Sequence, residues 1–586
     1  MKQKNDAGIV LKWIIQTIGK RKVLVVCLVI LQSLLGSINI AYAFVLRRLI
    51  NAAAAQDQHA FFIIIGVLVG VFAIQIGLQA ISRYLNEYTA ATIENQFKAK
   101  LFSSLMAVEY ASVSGVHSGE WVNRLTSDTV VVGTGVTRIV PGFIGMMVRL
   151  FGALAAIVWL LPEFLYLLVF GSAAILAITY FFRKPLRQLY KRIREADGIL
   201  RVFLQEHLES MLLIRAFSKE KETSKQAEAL MENHKKARLK RNRFANFCNA
   251  AFSGMMKGFY ALGIGYCGYG ILTGTVSYGN MMAIMQLIAQ VQNPFANMTG
   301  YLPKYYAMIA SAERLMEAET FSRDCETKMT QEQAISFYQS DFQSLQLDHG
   351  CFAYPSSDQT KRAETVKPFV LEDVNLEIPK GSFIVFTGPS GCGKSTVLKL
   401  LMCLYPLDSG ERWIQTAQGK EQLTSFYRNL FAYVPQSNQL LSGTIREIVS
   451  FGDEKRAQDD AAIVHALTIA CADEFVMALD QGLDTAIGER GLGLSEGQMQ
   501  RIAIARAIFS ERPILILDEA TSALDEATAL RVLDHLHNMT DQTVIMVTHR
   551  LDHMSVFDIQ YAFSDNGIQK KELNSNETNE RVEPKS

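Results

Sequence analysis

The sequence predicts two fold classes in one chain: an α-helical membrane bundle with six transmembrane helices, then an α/β domain. Three observations predict it. Hydrophobic residues make up 49% of the 586, and before about residue 315 they gather in long runs, whereas residues 341–570 alternate short strand-like and helix-like stretches. The charged share of 20% exceeds what an all-membrane chain carries, so a soluble part is required. Finally, Gly388-Pro389-Ser390-Gly391-Cys392-Gly393-Lys394-Ser395-Thr396 joins a strand-like run to a helix-like one, the context of a phosphate-binding turn.

The apolar runs lie near 22–46, 61–83, 137–161, 163–182, 248–273 and 279–303, each close to the ~20 residues that a helix needs to cross hydrocarbon. Leu161-Pro162-Glu163 and the turn from Thr273 to Tyr278 contain no Lys or Arg, while the segment from Arg183 to Arg243 is crowded with both. Basic residues collect on the cytoplasmic side, so both termini and the α/β domain are expected there, in a multi-pass protein of the cell (inner) membrane. Arg47 and Arg48 fall on the outer side and run against the rule. Lys2, Lys4, Lys20 and Lys22, an apolar run and Ala41-Tyr42-Ala43 imitate a secretory signal. The run is long for a signal and five more follow, so a first crossing is expected instead. Residues 8–18 are expected as an amphipathic helix on the inner membrane surface. The eight cysteines include no CxxC pair, so neither a zinc site nor a disulfide framework is expected. A net charge of +1 gives no reason to invoke nucleic acid.

In the glycine-rich turn, consecutive backbone N–H groups can face phosphates, Lys394 can reach the β- and γ-phosphates, and Ser395 can ligand Mg²⁺. A second strand, Ile514 to Leu517, ends in Asp518-Glu519 at the carboxyl edge of a buried parallel sheet. There Asp518 can hold Mg²⁺ through water and Glu519 can polarise the water that attacks a γ-phosphate. A third strand, Thr543 to Val547, delivers His549 to the same edge. Alone, His549 would be an ordinary surface or core histidine; beside the other two motifs it is read as a γ-phosphate contact.

With these motifs the chain resembles the ATP-binding cassette (ABC) transporters, specifically the exporter-type (type IV) half-transporters with fused membrane and nucleotide-binding domains. The resemblance extends to Phe352-Ala353-Tyr354-Pro355, Val434-Pro435-Gln436, Thr485 to Gly491, and Ser522-Ala523-Leu524-Asp525. In the membrane half, Ser118 to Asp128 is similar to the family's first cytoplasmic coupling region, and Glu206 to Glu220 to the stretch before the fifth helix. It implies a cassette with an ABC helical subdomain, ATP and Mg²⁺ as cofactors, and Tyr354 stacked on adenine. Gly388, Ser390, Gly391, Cys392, Gly393, Lys394, Ser395, Thr396 and Asp525 would line the ATP site. Ser395, Gln436 and Asp518 would serve the metal, Glu519 would be the general base, and His549 and Gln436 would complete catalysis. Ser495, Gly497 and Gln498 would belong to the signature that closes over ATP on the opposite subunit. With one cassette per chain, the resemblance implies a dimer, either with a second copy or with a related half-transporter.

The usual signature has glycine where this chain has Glu496. A carboxylate aimed at a phosphate would repel it. However, Ser495-Glu496-Gly497-Gln498 also fits the S-x-x-Q capping box, which places Glu496 in a first helical turn where negative charge is favoured. The other reading is a disabled site in an asymmetric heterodimer.

In the sixth crossing Gln286, Gln290, Asn293 and Asn297 share one helical face. Arg149 and Lys257 are also costly in hydrocarbon. Together they suggest a polar, partly cationic substrate cavity for an amphipathic peptide, lipid or drug-like cargo. The alternative is helix-to-helix hydrogen bonding by the amides and snorkelling by the cations. The expected organisation is a membrane domain over 1–318, a linker over 319–340, the cassette over 341–570 and a disordered tail over 571–586. The function expected is ATP-driven export, with an importer on the exporter fold carrying siderophore-like cargo as the alternative within the family.

Overall fold

The computed structural model describes residues 7–116, 118–324, 328–354, 369–436, 440–488, 493–539, 541–549, 556–564 and 567–573, with backbone alone at 164, 165, 167–181, 183, 187, 292–299 and 302. It divides into two compact units. One takes Lys4–Lys100 and Asn123–Met316; the other takes Leu101–Val122 and the chain from Glu317 onward.

The first unit is helical. The expected crossings fall on the helices Lys22–Ala54, Gln58–Ala107, Val140–Leu160, Phe164–Glu209, Glu220–Leu272 and Tyr278–Glu317. Three stretches, Ala7–Ala54, Gln58–Ala107 and Ser118–Leu160, are long and apolar enough to cross a membrane among the described residues. The fifth and sixth helices dilute their apolar side chains with glycine, tyrosine and amide residues. Small residues let the first and third crossings approach: a Cβ on Gly145 would stand 2.9 Å from the Gln32 Cβ. The N-terminal helix Ala7–Ile18 forms as expected. Its Val10, Ile14 and Ile18 are buried and its Trp13 ring lies 5.5 Å from Phe97, while Ile9 and Ile15 stay exposed.

At the foot of the third crossing the helix widens into two π turns, Arg124–Asp128 and Gly135–Ile139. Asp128 is buried there and held by the sixth helix: Arg314 Nε donates to its Oδ2 at 2.7 Å and Ser311 Oγ to its Oδ1 at 2.9 Å.

The second unit is built on a six-stranded sheet. In chain order its strands are β1 (Phe342–Phe352), β2 (Leu371–Pro379), β3 (Phe383–Thr387), β4 (Ser409–Thr416), β5 (Gly419–Gln422), β6 (Phe431–Val434), β7 (Gly443–Thr444), β8 (Ala486–Ile487), β9 (Ile514–Asp518), β10 (Thr543–Val547), β11 (Ile559–Ser564) and β12 (Gly567–Glu572). The main sheet has the order β12-β11-β3-β10-β9-β6, parallel except for β12. Every residue of β3, β9 and β10 is buried, as both-face coverage demands. Phe383 and Val385 face a cluster that includes Ile463, Ile502 and Leu533, from the helices Asp460–Ile469, Glu496–Phe509 and Glu526–His537. Ile384 and Phe386 face a cluster shared with the antiparallel sheet β2-β1-β4-β5 and the helix Lys394–Leu401.

The stretch expected as a linker holds structure. Residues Gln331–Ser340 form a helix opened by a Thr330/Gln333 capping box, and its Ala334 and Tyr338 enter the cassette core. The T-x-x-Q signal was present, but polar composition masked it.

Arg314→Leu leaves the buried Asp128 carboxylate without its ion pair, a loss that typically costs about 3–5 kcal/mol. The melting temperature of the detergent-purified protein should fall by several degrees, and Asp128→Asn in the same chain should recover part of it.

Candidate active site

The parallel strands bring four loops to one edge. After β3, the chain turns through Gly388 to Gly393 and enters the helix Lys394–Leu401. Gly393 caps that helix at φ +94°, a left-handed conformation, with a Cβ position only 2.5 Å from Leu371 Cδ2, so glycine is required twice over. Lys394 is buried and its Nζ donates to the carbonyls of Gly388 at 2.8 Å and Pro389 at 2.7 Å. Cys392 Sγ lies 3.7 Å from the same Nζ. Ser390 and Gly391 are exposed at the tip of the turn.

Ser395 Oγ donates to Asp518 Oδ1 at 2.9 Å, and the Tyr433 hydroxyl donates to Oδ2 at 3.3 Å. Burial pushes the Asp518 carboxyl above the usual range, against the pull of these two donors. Burial also pushes the Tyr433 phenol well up, and the nearby Asp518 charge adds to it. A divalent cation would reverse the Asp518 shift, and the hydroxyl and carboxylate oxygens of Ser395 and Asp518 are the hard donors Mg²⁺ takes. The residues therefore fit the ion.

Glu519, the next residue, is held at φ +53°, a costly conformation for a non-glycine residue. Its carboxylate is gripped at both oxygens: Gln436 Nε2 donates to Oε2 at 2.8 Å, and His549 Nε2 lies 3.0 Å from Oε1. The three residues read separately from sequence thus converge on one carboxylate. Tyr354 sits beside the turn, its hydroxyl 3.1 Å from Thr396 Oγ1 and its ring edge-on to Phe352 and Tyr405.

The capping box forms: Ser495 Oγ accepts from the Gln498 N–H at 3.2 Å, and Gln498 Oε1 accepts from the Ser495 N–H at 2.9 Å. Glu496 is exposed in the first turn of the helix Glu496–Phe509. Gly497 is fixed by a close approach, because a Cβ there would meet the Ala523 carbonyl oxygen at 2.8 Å. Asp525 caps the helix Glu526–His537 by accepting from the Thr528 N–H at 2.9 Å, which holds its carboxyl below the usual range.

Sequence reasoning missed Tyr433, Gln500 and Tyr405. Tyr405 joins the cassette to the segment 101–122 of the same unit: its hydroxyl lies 2.9 Å from Ser114 Oγ and its ring meets Tyr110 edge-on. These contacts precede the Ser118 to Asp128 stretch, of which Trp121 is buried in this unit beside Phe321. The suggested substrate-cavity residues lie in the helical unit. Gln290 is buried with Nε2 donating to the Asn39 carbonyl at 2.6 Å, Gln286 and Arg149 are half-buried, and Lys257 is exposed. The side chains of Asn293 and Asn297 lie outside the described residues, as do Glu489, Arg490 and Gly491.

Comparison with known proteins gives the family. Residues 25–295 match the model of the ABC transporter transmembrane region, and 371–522 match that of the ABC transporter domain. The mouse protein named "ATP-binding cassette sub-family B member 10, mitochondrial" is 30% identical over 506 residues, 83% of this chain and 67% of that protein. A Staphylococcus aureus protein named "Putative multidrug export ATP-binding/permease protein" is 28% identical over 511 residues, 86% and 85% of the two chains. The solved structure of a bacterial Atm1-family ABC exporter with ATP bound has the same fold, with a TM-score of 0.74 at 20% identity over 95% of both chains. The cassette is thus an ATPase coupled to transport in a multi-pass membrane protein. Alkylation of Cys392, inside the phosphate loop, should inhibit that ATPase, bound ATP should slow the inhibition, and Cys392→Ala should be insensitive. Membrane and ATPase regions joined in this order place the chain among the ABC transporters, as an exporter-type half-transporter.

Proposed function

We propose that this chain works as a homodimer that exports an amphipathic substrate across the cell membrane, with cassettes and termini in the cytoplasm. The observation that carries the reading is the Glu519 carboxylate, gripped by Gln436 and His549 beside a Ser395–Asp518 pair. A site that only bound nucleotide would have no use for an oriented base. In turnover, Glu519 accepts a proton from water as the water oxygen bonds to the γ-phosphorus and the bond to ADP breaks. His549 and Gln436 hold the carboxylate in line, and Lys394 neutralises charge on the phosphates. Ser395 and Asp518, with Gln436 nearby, would hold Mg²⁺, which would add to the charge neutralisation on the phosphates.

One complete set of these residues per chain, together with a signature that serves the opposite subunit, supports pairing of two cassettes around two ATP. Glu496 favours a second reading, an asymmetric pair with a related half-transporter. Its exposed place in a well-capped first turn supports the homodimer, since the charge gains from the helix dipole there rather than meeting phosphate.

The deciding measurement is phosphate release by the purified chain reconstituted alone in lipid. The wild type should turn over, and Glu519→Gln should lose about 10²–10⁴-fold in rate while still binding ATP. A wild type that binds ATP without hydrolysing it would instead show that a partner chain is missing.

The substrate class rests on Arg149 and Lys257 in the membrane helices and on the amides of the sixth helix. The double variant Arg149→Ala/Lys257→Ala should abolish stimulation of the ATPase by acidic amphipathic drugs and leave the unstimulated rate in place. Unchanged stimulation would remove the cationic-cavity reading.

A further inference from the structure

Gln500 has no part in the site as drawn, yet it is 1% exposed and both ends of its amide are engaged. Its Nε2 donates to the backbone carbonyl of Glu519 at 3.0 Å and to Ser522 Oγ at 3.3 Å. Its Oε1 accepts from the Ala523 N–H at 3.0 Å. One side chain therefore ties the signature helix to both ends of the turn 519–523. That turn begins with the left-handed Glu519, whose N–H donates to the Val547 carbonyl at 3.1 Å and whose carbonyl also accepts from the Ser522 N–H at 3.1 Å. The peptide plane that aims the Glu519 carboxylate is consequently fixed in part from the signature helix. The tight approach of Gly497 to the Ala523 carbonyl joins the same two elements a second time.

We propose that Gln500 is a positioning residue that carries the state of the signature to the Glu519 of its own chain, and so connects the two ATP sites of the dimer. The inference rests on the two-cassette reading above, in which Ser495 and Gly497 meet ATP held by the partner while Glu519 acts on ATP held by its own phosphate loop. When the helix opening closes over one nucleotide, Gln500 moves the turn 519–523 with it. Glu519 is then brought to bear on the other nucleotide.

The test uses Gln500→Met in the full-length protein, which preserves length and burial and removes all three hydrogen bonds. We expect kcat to fall at least about tenfold, while KM and the Kd for a fluorescent ATP analogue measured in EDTA change less than about threefold. The dependence of rate on ATP should lose its cooperativity. Amide exchange in the 519–525 peptide should rise with the melting temperature nearly unchanged. In a double-mutant cycle, Ser495→Ala should lower kcat in the wild-type background and add little to Gln500→Met. If Gln500→Met does not fold, Gln500→Leu removes the same hydrogen bonds without placing a charge in the buried position and serves the same measurements. A kcat within about twofold of wild type, or losses that multiply in the double variant, would overturn the proposal. A wild type inactive alone defeats the homodimer reading but leaves the exchange measurement in force. There, unchanged exchange in the variant overturns the role of Gln500, and raised exchange supports it.

Discussion

Parallel strands must all end at the same side of their sheet, and the chemistry of this protein depends on that constraint. Val547 on β10 stands level with Asp518 on β9 and with Phe386 on β3, and Val434 on β6 with Leu517. The ladder that sets this register runs on into the site, where the Glu519 N–H donates to the Val547 carbonyl at 3.1 Å. Because side chains alternate along a strand, a slip of one residue in β9 would turn Asp518 away from Ser395 and bury Glu519. The cost of ordering catalytic loops is thus met by core residues such as Ile516 and Ile545, which touch no substrate.

The helical unit uses its polar groups differently. Gln290 donates to a backbone carbonyl on the first crossing, and Gln32 donates to Ser82 on the second at 2.9 Å. Arg47, one of the two cations that run against the basic-residue rule, places its guanidinium 5.9 Å from the Trp159 ring, an aromatic partner. Bonds of this kind fix helix rotation in a medium that supplies no hydrophobic drive between helices. Asp128 and Arg314 do the same at the base of the third and sixth helices, where burial makes the pairing obligatory once the carboxylate is there.

Much of this was legible in the sequence. Apolar run length gave the helices, glycine spacing gave the phosphate loop, and strand endings gave Asp518, Glu519 and His549, because each signal is local. The Ser495 capping box was legible for the same reason. Gln500, Tyr433 and Tyr405 were not, since their importance lies in what a distant segment brings to them. A buried amide in the apolar run after Gln498 was the one hint that Gln500 offered. The helix Gln331–Ser340 was hidden by its composition, although its cap was written plainly.

The assignment of Leu101–Val122 to the same compact unit as the ATPase strands has a practical meaning for modular thinking about such chains. Val108 pairs with Arg323, the Glu109 N–H reaches the Ser322 carbonyl, and Tyr110 and Ser114 seat Tyr405. The compact unit that holds the ATPase strands is therefore discontinuous in sequence: its segment Leu101–Val122 lies within the stretch that matches the transmembrane region. A chimaera that exchanges only the C-terminal half with a relative would separate Tyr405 from the residues that cover it, and the exchange unit that respects the architecture carries both pieces.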